Sequence, residues 1–353
     1  MNSAGVPSQP PNDPPPSETA PHSAKRSRCW IWLRRLTALA LLVVLVPYLY
    51  GRMTSPWHAV EVRQAAIPAA ANGRVDSTSE QDRRPTLTIA AYNIAHGRGL
   101  AESNYTDESA QVRLDRLYAI ADVLSAHDVA IAVLNEVDFD TSWSGRIDQA
   151  QLIAERAGMP HLAVVRNADV LLPGARMRFG NAVLSRFEIL SAQVFDLPGY
   201  ATHESALFGK KRGLLCELQI APDRRLRVLA VHLEHRSETV RVAGAKSILQ
   251  LAGDSDLPLV CAGDFNSAPV GFPEAETDAT GVSALGLLAD SQRFRLIPAA
   301  MPGPEALTFR ADRPSCVLDW ILVPPTWQVR DYRVLPLTHS DHRPVIGTFD
   351  LPE

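Results

Sequence analysis

Leu259-Val260-Cys261-Ala262-Gly263-Asp264-Phe265-Asn266-Ser267 is the stretch on which the fold turns. Its apolar part is too short for a helix and is closed by a glycine, which predicts a buried strand near 258–264. The strand stops in an aspartate and an asparagine. A polar group at a strand end is ordinarily a turn cap, so this one run decides little alone.

The same design recurs outward in both directions. Thr86–Asn93 is a strand ending in Asn93, and Val129–Val137 carries Glu136 near its end. A strand over 225–232 closes in His232. Asp319 lies early in the run Val317-Leu318-Asp319-Trp320-Ile321-Leu322-Val323, and Asp341-His342 precedes a last strand near 344–350. Six polar positions, each beside a buried strand, are too many to be caps. Further strands are expected at 161–166, 179–185, 189–196, 212–220, 317–323 and 329–335. Helices are expected at Glu108–His127, where Leu114, Leu117, Ala121 and Leu124 fall at helical spacing, and at Glu238–Leu251. Many strands and few helices predict an α/β fold, a four-layer α/β/β/α sandwich of two packed mixed sheets flanked by helices. No glycine-rich nucleotide loop follows any strand.

These segments together resemble the endonuclease/exonuclease/phosphatase superfamily. The likeness is carried by Tyr92-Asn93-Ile94 with His96-Gly97, Leu134-Asn135-Glu136-Val137-Asp138 and Val231-His232-Leu233. Ala262–Ser267, Thr308-Phe309 with Leu318-Asp319-Trp320-Ile321, and Ser340-Asp341-His342-Arg343-Pro344-Val345 complete it. The motifs run in the family's order over about 86–350. Two positions depart from the common pattern: Asn135 stands where glutamine usually precedes the metal-binding glutamate, and Glu188 where proline is frequent.

The resemblance implies hydrolysis of a phosphate ester. A phosphate repels its nucleophile, and its leaving oxygen gains charge, so the reaction calls for a hard cation on oxygen ligands: Mg²⁺, with Mn²⁺ as a substitute. The implied metal group is Asn93, Glu136 and Asp341. The implied catalytic group is Asp264 to orient or deprotonate water, Asn266 to bind a phosphoryl oxygen, and His342 held by Asp319. His232 belongs to it as well, for a non-bridging oxygen or the leaving group. His96 and Asn181 are candidates on the substrate side. His235 and Arg236 suit either phosphate or a solvated loop, and Asp138 and Asp140 read as loop residues.

The N-terminal part reads differently. Residues 1–29 are Pro-rich and polar at first and end in a basic cluster, which predicts a disordered cytoplasmic tail. Residues 30–50, with Arg34 and Arg35 snorkelling to the cytoplasmic interface and the aromatics Trp30, Trp32, Tyr48 and Tyr50 marking the two interfaces, give about 30 Å of helix and predict a transmembrane signal anchor. A cleaved signal peptide is the alternative; the long preceding segment and the lack of a small-residue site after Tyr50 oppose it. Residues 51–84 are expected to be a linker and 85–353 the exported catalytic domain.

Of the 353 residues, those beyond 84 include 25 Lys/Arg and 33 Asp/Glu, a balance of −8. This is the wrong sign for a domain that grips duplex DNA through many phosphates, and it ranks a deoxyribonuclease-like activity second. Membrane tethering suits a lipid or sugar phosphate ester better, with nucleic acid kept as a third substrate class. A noncatalytic module on the same fold would be expected to have lost Glu136, Asp264 or His342, and all are present. Cys29, Cys216, Cys261 and Cys316 show no metal spacing; Cys216 and Cys261, in strand-like apolar runs, read as buried thiols, with a disulfide among Cys216, Cys261 and Cys316 left open. No protein partner is evident.

Overall fold

A computed structural model describes residues 23–55, 59–67, 85–200 and 209–352, with side chains from residue 28 onward. The disordered tail expected for 1–29 falls mostly on 1–22, outside the described residues. From Ser23 the chain is already helical: α1 spans Ser23–Thr54 and includes Pro47. Arg28–Thr54 within it is long and apolar enough to cross a bilayer, and none of that window is buried against protein.

From Pro47 on, the chain forms a second compact unit built on two sheets. The first has seven strands in the order β1-β4-β5-β3-β2-β12-β11. These are β1 (Val60–Gln64), β2 (Thr86–Asn93), β3 (Ile131–Asp138), β4 (His161–Leu172), β5 (Ala175–Ser185), β11 (Gln328–Val334) and β12 (Val345–Asp350). The second has five in the order β10-β9-β8-β7-β6: β6 (Glu188–Asp196), β7 (Arg212–Ala221), β8 (Arg224–His232), β9 (Leu259–Asp264) and β10 (Asp319–Leu322). Each sheet contains one parallel pair, β2 with β3 and β8 with β9, among antiparallel neighbours. Both sheets are therefore mixed.

Period-2 alternation sorts the strand side chains into three apolar layers. Ile131 and Val133 of β3 meet Val228 of β8 and Val260 and Ala262 of β9 between the sheets. Ala132 and Leu134 face the other way, onto Leu117, Ile120 and Leu124 of α2 (Ala110–Ala126) and Ile153 of α3 (Gln149–Ala157). Leu259 and Cys261 face Val242 and Ile248 of α4 (Glu238–Gly253) and Leu285 and Leu288 of α5 (Ala284–Asp290). The four-layer sandwich follows, and it explains why these strands read as unbroken apolar runs: both faces are buried.

Three elements went unpredicted. Helices α3 and α5 are only 9 and 7 residues long, marked by Asp148 and Ser283 as N-caps and, for α3, by left-handed Gly158 at its end. Within 51–84, expected to be a linker, β1 pairs antiparallel with β4 from Val60↔Val165 to Gln64↔His161 and forms a sheet edge. Its sequence, VEVRQ, is strongly polar because an edge strand keeps one side open to solvent. All four cysteines are free thiols. Cys216 faces the inter-sheet layer and Cys261 the opposite face of the same sheet.

Candidate active site

The two parallel pairs bring neighbouring strand ends together. In the five-stranded sheet, Asp264 is the register partner of both His232 on β8 and Asp319 on β10. In the seven-stranded sheet, Asn93 pairs with Asn135, the residue before Glu136. Asp341 and His342 arrive just before β12, and Ser340 donates to the Asn93 carbonyl at 2.7 Å. Six strand ends so converge on one cleft of about 760 Å³, lined among others by His96, Glu136, His232, Asp264, Asp341 and His342.

A cross-sheet staple holds the two halves in place. Asn135 Nδ2 donates to Asn181 Oδ1 (2.9 Å) and to the Val231 carbonyl (3.0 Å), while Asn135 Oδ1 accepts from Asp264 N–H (2.8 Å). Asn181 Nδ2 continues to the Arg212 carbonyl at 2.8 Å. Asn135, standing where glutamine is usual, thus ties β3 to β8 and β9. Asn181, expected on the substrate side, is fully buried and both ends of its amide are engaged in this staple. The structure places it behind the site and not in it. Trp320, also fully buried, donates Nε1–H to the Ser267 carbonyl at 3.0 Å and so fixes the turn after Asp264. Removing a buried aromatic of this size costs about 3–5 kcal/mol.

At the centre lies one oxygen, Asp264 Oδ2. Asn93 Nδ2 donates to it at 3.1 Å, His342 Nε2 lies 3.7 Å away and His232 Nε2 3.8 Å away. The other oxygen accepts from Asn266 N–H at 2.8 Å. Burial pushes the Asp264 carboxyl up and the nearby Asp319 charge adds to this, against the pull of His342, to about 7. His342 Nδ1 donates to Asp319 Oδ2 at 2.8 Å. Burial alone would depress this imidazole, but the charges of Asp319 and Asp264 outweigh it and raise its pKa to about 10. His232 has the opposite fate: burial, reinforced by the Lys211 charge, lowers it well below the usual value. The two histidines beside Asp264 are thus pushed in opposite directions, His342 toward its charged form and His232 toward its neutral one.

Glu136 sits in a β-bulge, where the β3–β5 register shifts between Leu134 and Val137, and has φ +52°. Ala95, His96 and Asn266 are left-handed as well, at φ 47°, 55° and 49°. Non-glycine residues held there are strained, and such strain collects where side chains must be aimed.

Two groups of ligand atoms compete as a metal site. Asp264, Asp319 and His342 offer atoms within 4.8 Å of one another, yet His342 and Asp319 already satisfy each other, and the imidazole is held cationic, which ligands are not. Glu136 and Asp341 are the better donors for a hard cation: carboxylates 24% and 25% exposed to the cleft. Arg98 bonds both, Nη2 to Asp341 at 2.7 Å and Nη1 to Glu136 at 3.3 Å, so a single cation does reach the two together. Asn93 differs from expectation in detail. Its Oδ1 accepts from Ala95 N–H (3.0 Å), and its Nδ2 turns toward Glu136 (3.3 Å) and Asp264. In this rotamer it orients the carboxylates and presents no oxygen to a metal.

Sequence reading missed Arg98 and misjudged Asp138. Asp138 is no loop residue: it ends β3, is fully buried, and bonds His96 Nδ1 at 2.7 Å and Trp143 Nε1 at 3.0 Å. His96 Nε2 is 3.3 Å from Glu136. Burial opposes its protonation, but the Asp138 hydrogen bond and the charges of Glu136 and Asp138 raise its pKa. Asp140 does lie on a loop, paired with Arg146 and Arg176. His235 and Arg236 line the cleft.

With this fold and this constellation of strand-end groups, the chain belongs to the Endonuclease/Exonuclease/phosphatase family, whose sequence profile matches residues 90–342. Members are generally hydrolases of phosphate esters and generally use divalent metals. No curated protein matches the chain significantly. Among solved structures, it resembles an endonuclease/exonuclease/phosphatase from Beutenbergia cavernae (22% identity, 76% of this chain and 72% of that one, TM-score 0.58). It also resembles the human Nocturnin catalytic domain with bound sulfate (18%, 75% and 93%, TM-score 0.51). A third likeness is to a mannosyl-6-phosphatase from Bacteroides thetaiotaomicron (18%, 75% and 100%, TM-score 0.50). At these identities the likeness is one of fold.

Proposed function

We propose that this protein is a membrane-anchored, Mg²⁺-dependent phosphoesterase that hydrolyses a phosphodiester or phosphomonoester by in-line attack of water. The observation that carries the reading is Asp264 Oδ2 standing among Asn93, His232 and His342, beside the Glu136–Asp341 carboxylates.

Asp264 orients the attacking water and takes its proton, a role suited to a carboxyl raised toward neutrality. Asp319 keeps Nδ1 of His342 protonated, so that Nε2–H offers positive charge to a phosphoryl oxygen. His232, neutral at rest, is placed for the leaving group or a non-bridging oxygen. Asn266 offers its amide to another oxygen. Glu136 and Asp341 hold Mg²⁺, or Mn²⁺ in its place, with Asn93 fixing Glu136; the ion supplies Lewis acidity and charge neutralisation.

The exposed apolar residues of α1, such as Leu36, Leu39, Leu41 and Leu42, and Arg34 lying 4.2 Å over the Trp30 ring, support a single-pass anchor. Basic residues before it favour a cytoplasmic N-terminus and an exported catalytic unit. The protein should stay in the membrane after alkaline carbonate washing; release of a shortened soluble chain would establish a cleaved signal sequence instead.

The deciding experiment is a panel of bis-nitrophenyl phosphate, nitrophenyl phosphate, sphingomyelin, sugar and inositol phosphates and plasmid DNA, with Mg²⁺ and with EDTA. Activity should vanish in EDTA, and Glu136→Gln should raise the Mg²⁺ requirement. Full turnover in chelator would end the metal assignment, and efficient plasmid nicking would make the protein a nuclease.

A further inference from the structure

We infer that Lys211 binds a non-bridging phosphoryl oxygen beside Asn266 and selects for the doubly charged phosphate of a monoester. This rests on the phosphoesterase reading above.

Lys211 immediately precedes β7 and lines the cleft. Its Nζ donates to the Leu233 carbonyl at 3.5 Å, and the same carbonyl accepts from Asn266 Nδ2 at 3.2 Å. Ammonium and amide thus converge on one oxygen next to His232. An ammonium carries three N–H groups. Among the described residues this long bond is its only one, and it joins no ion pair. Glu234, the first of the carboxylates whose charge acts on it, is taken by Arg236 Nε at 3.2 Å and His235 Nδ1 at 3.3 Å. Burial lowers the Lys211 pKa, and the charges of Glu234, Glu136 and Asp264 only partly offset this, with Arg236 adding to the fall. A partly buried ammonium with donors to spare is stabilised when an anion meets it.

The surrounding charges say which anion. A diester phosphate carries one negative charge, whereas a monoester carries nearly two near pH 7, its second pKa lying near 6. His342 and the metal-binding carboxylates with their ion suffice for the first charge; Lys211 adds a cation that only the second uses fully.

Lys211→Met keeps the aliphatic stem and removes the charge. With nitrophenyl phosphate, its kcat/KM should fall about 10- to 100-fold, the worth of a hydrogen bond to a charged group. With bis-nitrophenyl phosphate the fall should be several times smaller. The inhibition constant of inorganic phosphate should rise in parallel with the monoester loss, and Lys211→Arg should keep most of the wild-type behaviour. Inorganic phosphate should also raise the melting temperature of the wild type and not of Lys211→Met, a readout independent of turnover. Equal losses on the two esters, or undiminished phosphate protection in Lys211→Met, would overturn the assignment. A wild type protected by phosphate yet inactive on every ester would instead remove the phosphoesterase reading and leave Lys211 an anion-binding residue.

Discussion

Two aspartate–histidine pairs line the same cleft, and they are built alike. In each, a fully buried aspartate accepts from Nδ1 of the histidine, at 2.8 Å for Asp319–His342 and 2.7 Å for Asp138–His96. In each, burial opposes the imidazolium, and the aspartate together with a second carboxylate, Asp264 or Glu136, outweighs it. They differ in what Nε2 meets. His342 faces Asp264, the carboxylate we propose to handle water, and His96 faces Glu136, the carboxylate we propose to hold metal. On that proposal the pair is one device whose role is set by its neighbour: the first would act on the phosphoryl group, the second would position a ligand.

The comparison breaks most visibly at the first pair. His342→Ala should lower kcat by about 10²–10³, the usual worth of a charge-stabilising donor aimed at the reacting oxygen. Asp319→Asn should cost nearly as much, because an asparagine at that position no longer specifies the tautomer with Nδ1 protonated. The double variant should be little worse than the worse single, as for residues acting as a unit. Losses that add would show that Asp319 and His342 work separately.

His232 sharpens the contrast, since among the described residues no aspartate bonds its Nδ1, and burial with the Lys211 charge favours its neutral form. If it gains a proton once the phosphate is bound and passes that proton to the leaving oxygen, His232→Ala should be crippling on an alkyl phosphate and mild on a nitrophenyl ester, whose departure needs less help. The expected loss is about 10²-fold on the unactivated ester. The same loss on both esters would assign His232 to a non-bridging oxygen.

How far the two pairs could be read from sequence follows from their chemistry. Asp319 and His342 lie in separate motifs, yet each stands at a buried strand end, and that regularity made both visible. The sandwich itself was equally legible, because strands buried on both faces leave continuous apolar runs such as Ile131–Leu134 and Leu259–Ala262. Asp138 was hidden because its strand passes through the Glu136 bulge, which shifts the register, and its partner His96 lies 42 residues away on a left-handed turn. Arg98 and Lys211 carry no pattern: a single arginine or lysine near a motif looks like any surface cation until the fold turns it inward. Strand β1 escaped for the opposite reason, an edge position that tolerates the polar sequence of a loop.

The second pair should give the smallest loss of turnover and the most specific signature. If Asp138 and His96 serve Glu136, then His96→Ala and Asp138→Asn disturb the aim of a metal ligand and leave Asp264 and His342 untouched. At saturating Mg²⁺, kcat should stay within about tenfold of wild type, while the Mg²⁺ concentration for half-maximal activity rises about 10- to 100-fold, as when the hydrogen-bond partner of a ligand is removed. Mn²⁺ binding measured by calorimetry without substrate should weaken in step, which separates lost metal from lost substrate contact. A direct contact from His96 to substrate predicts the reverse, with KM rising and the metal requirement unchanged. Trp143→Phe offers a finer cut. It removes the Nε1–H bond to Asp138 Oδ2 while keeping an aromatic ring against His96, Phe179 and Tyr105 and the His96 bond to Asp138 Oδ1. A single neutral donor to a buried carboxylate is worth about 1.5–3 kcal/mol of stability. The variant should therefore melt earlier yet keep its Mg²⁺ dependence. A raised metal requirement in Trp143→Phe would mean that both oxygens of Asp138 take part in aiming His96.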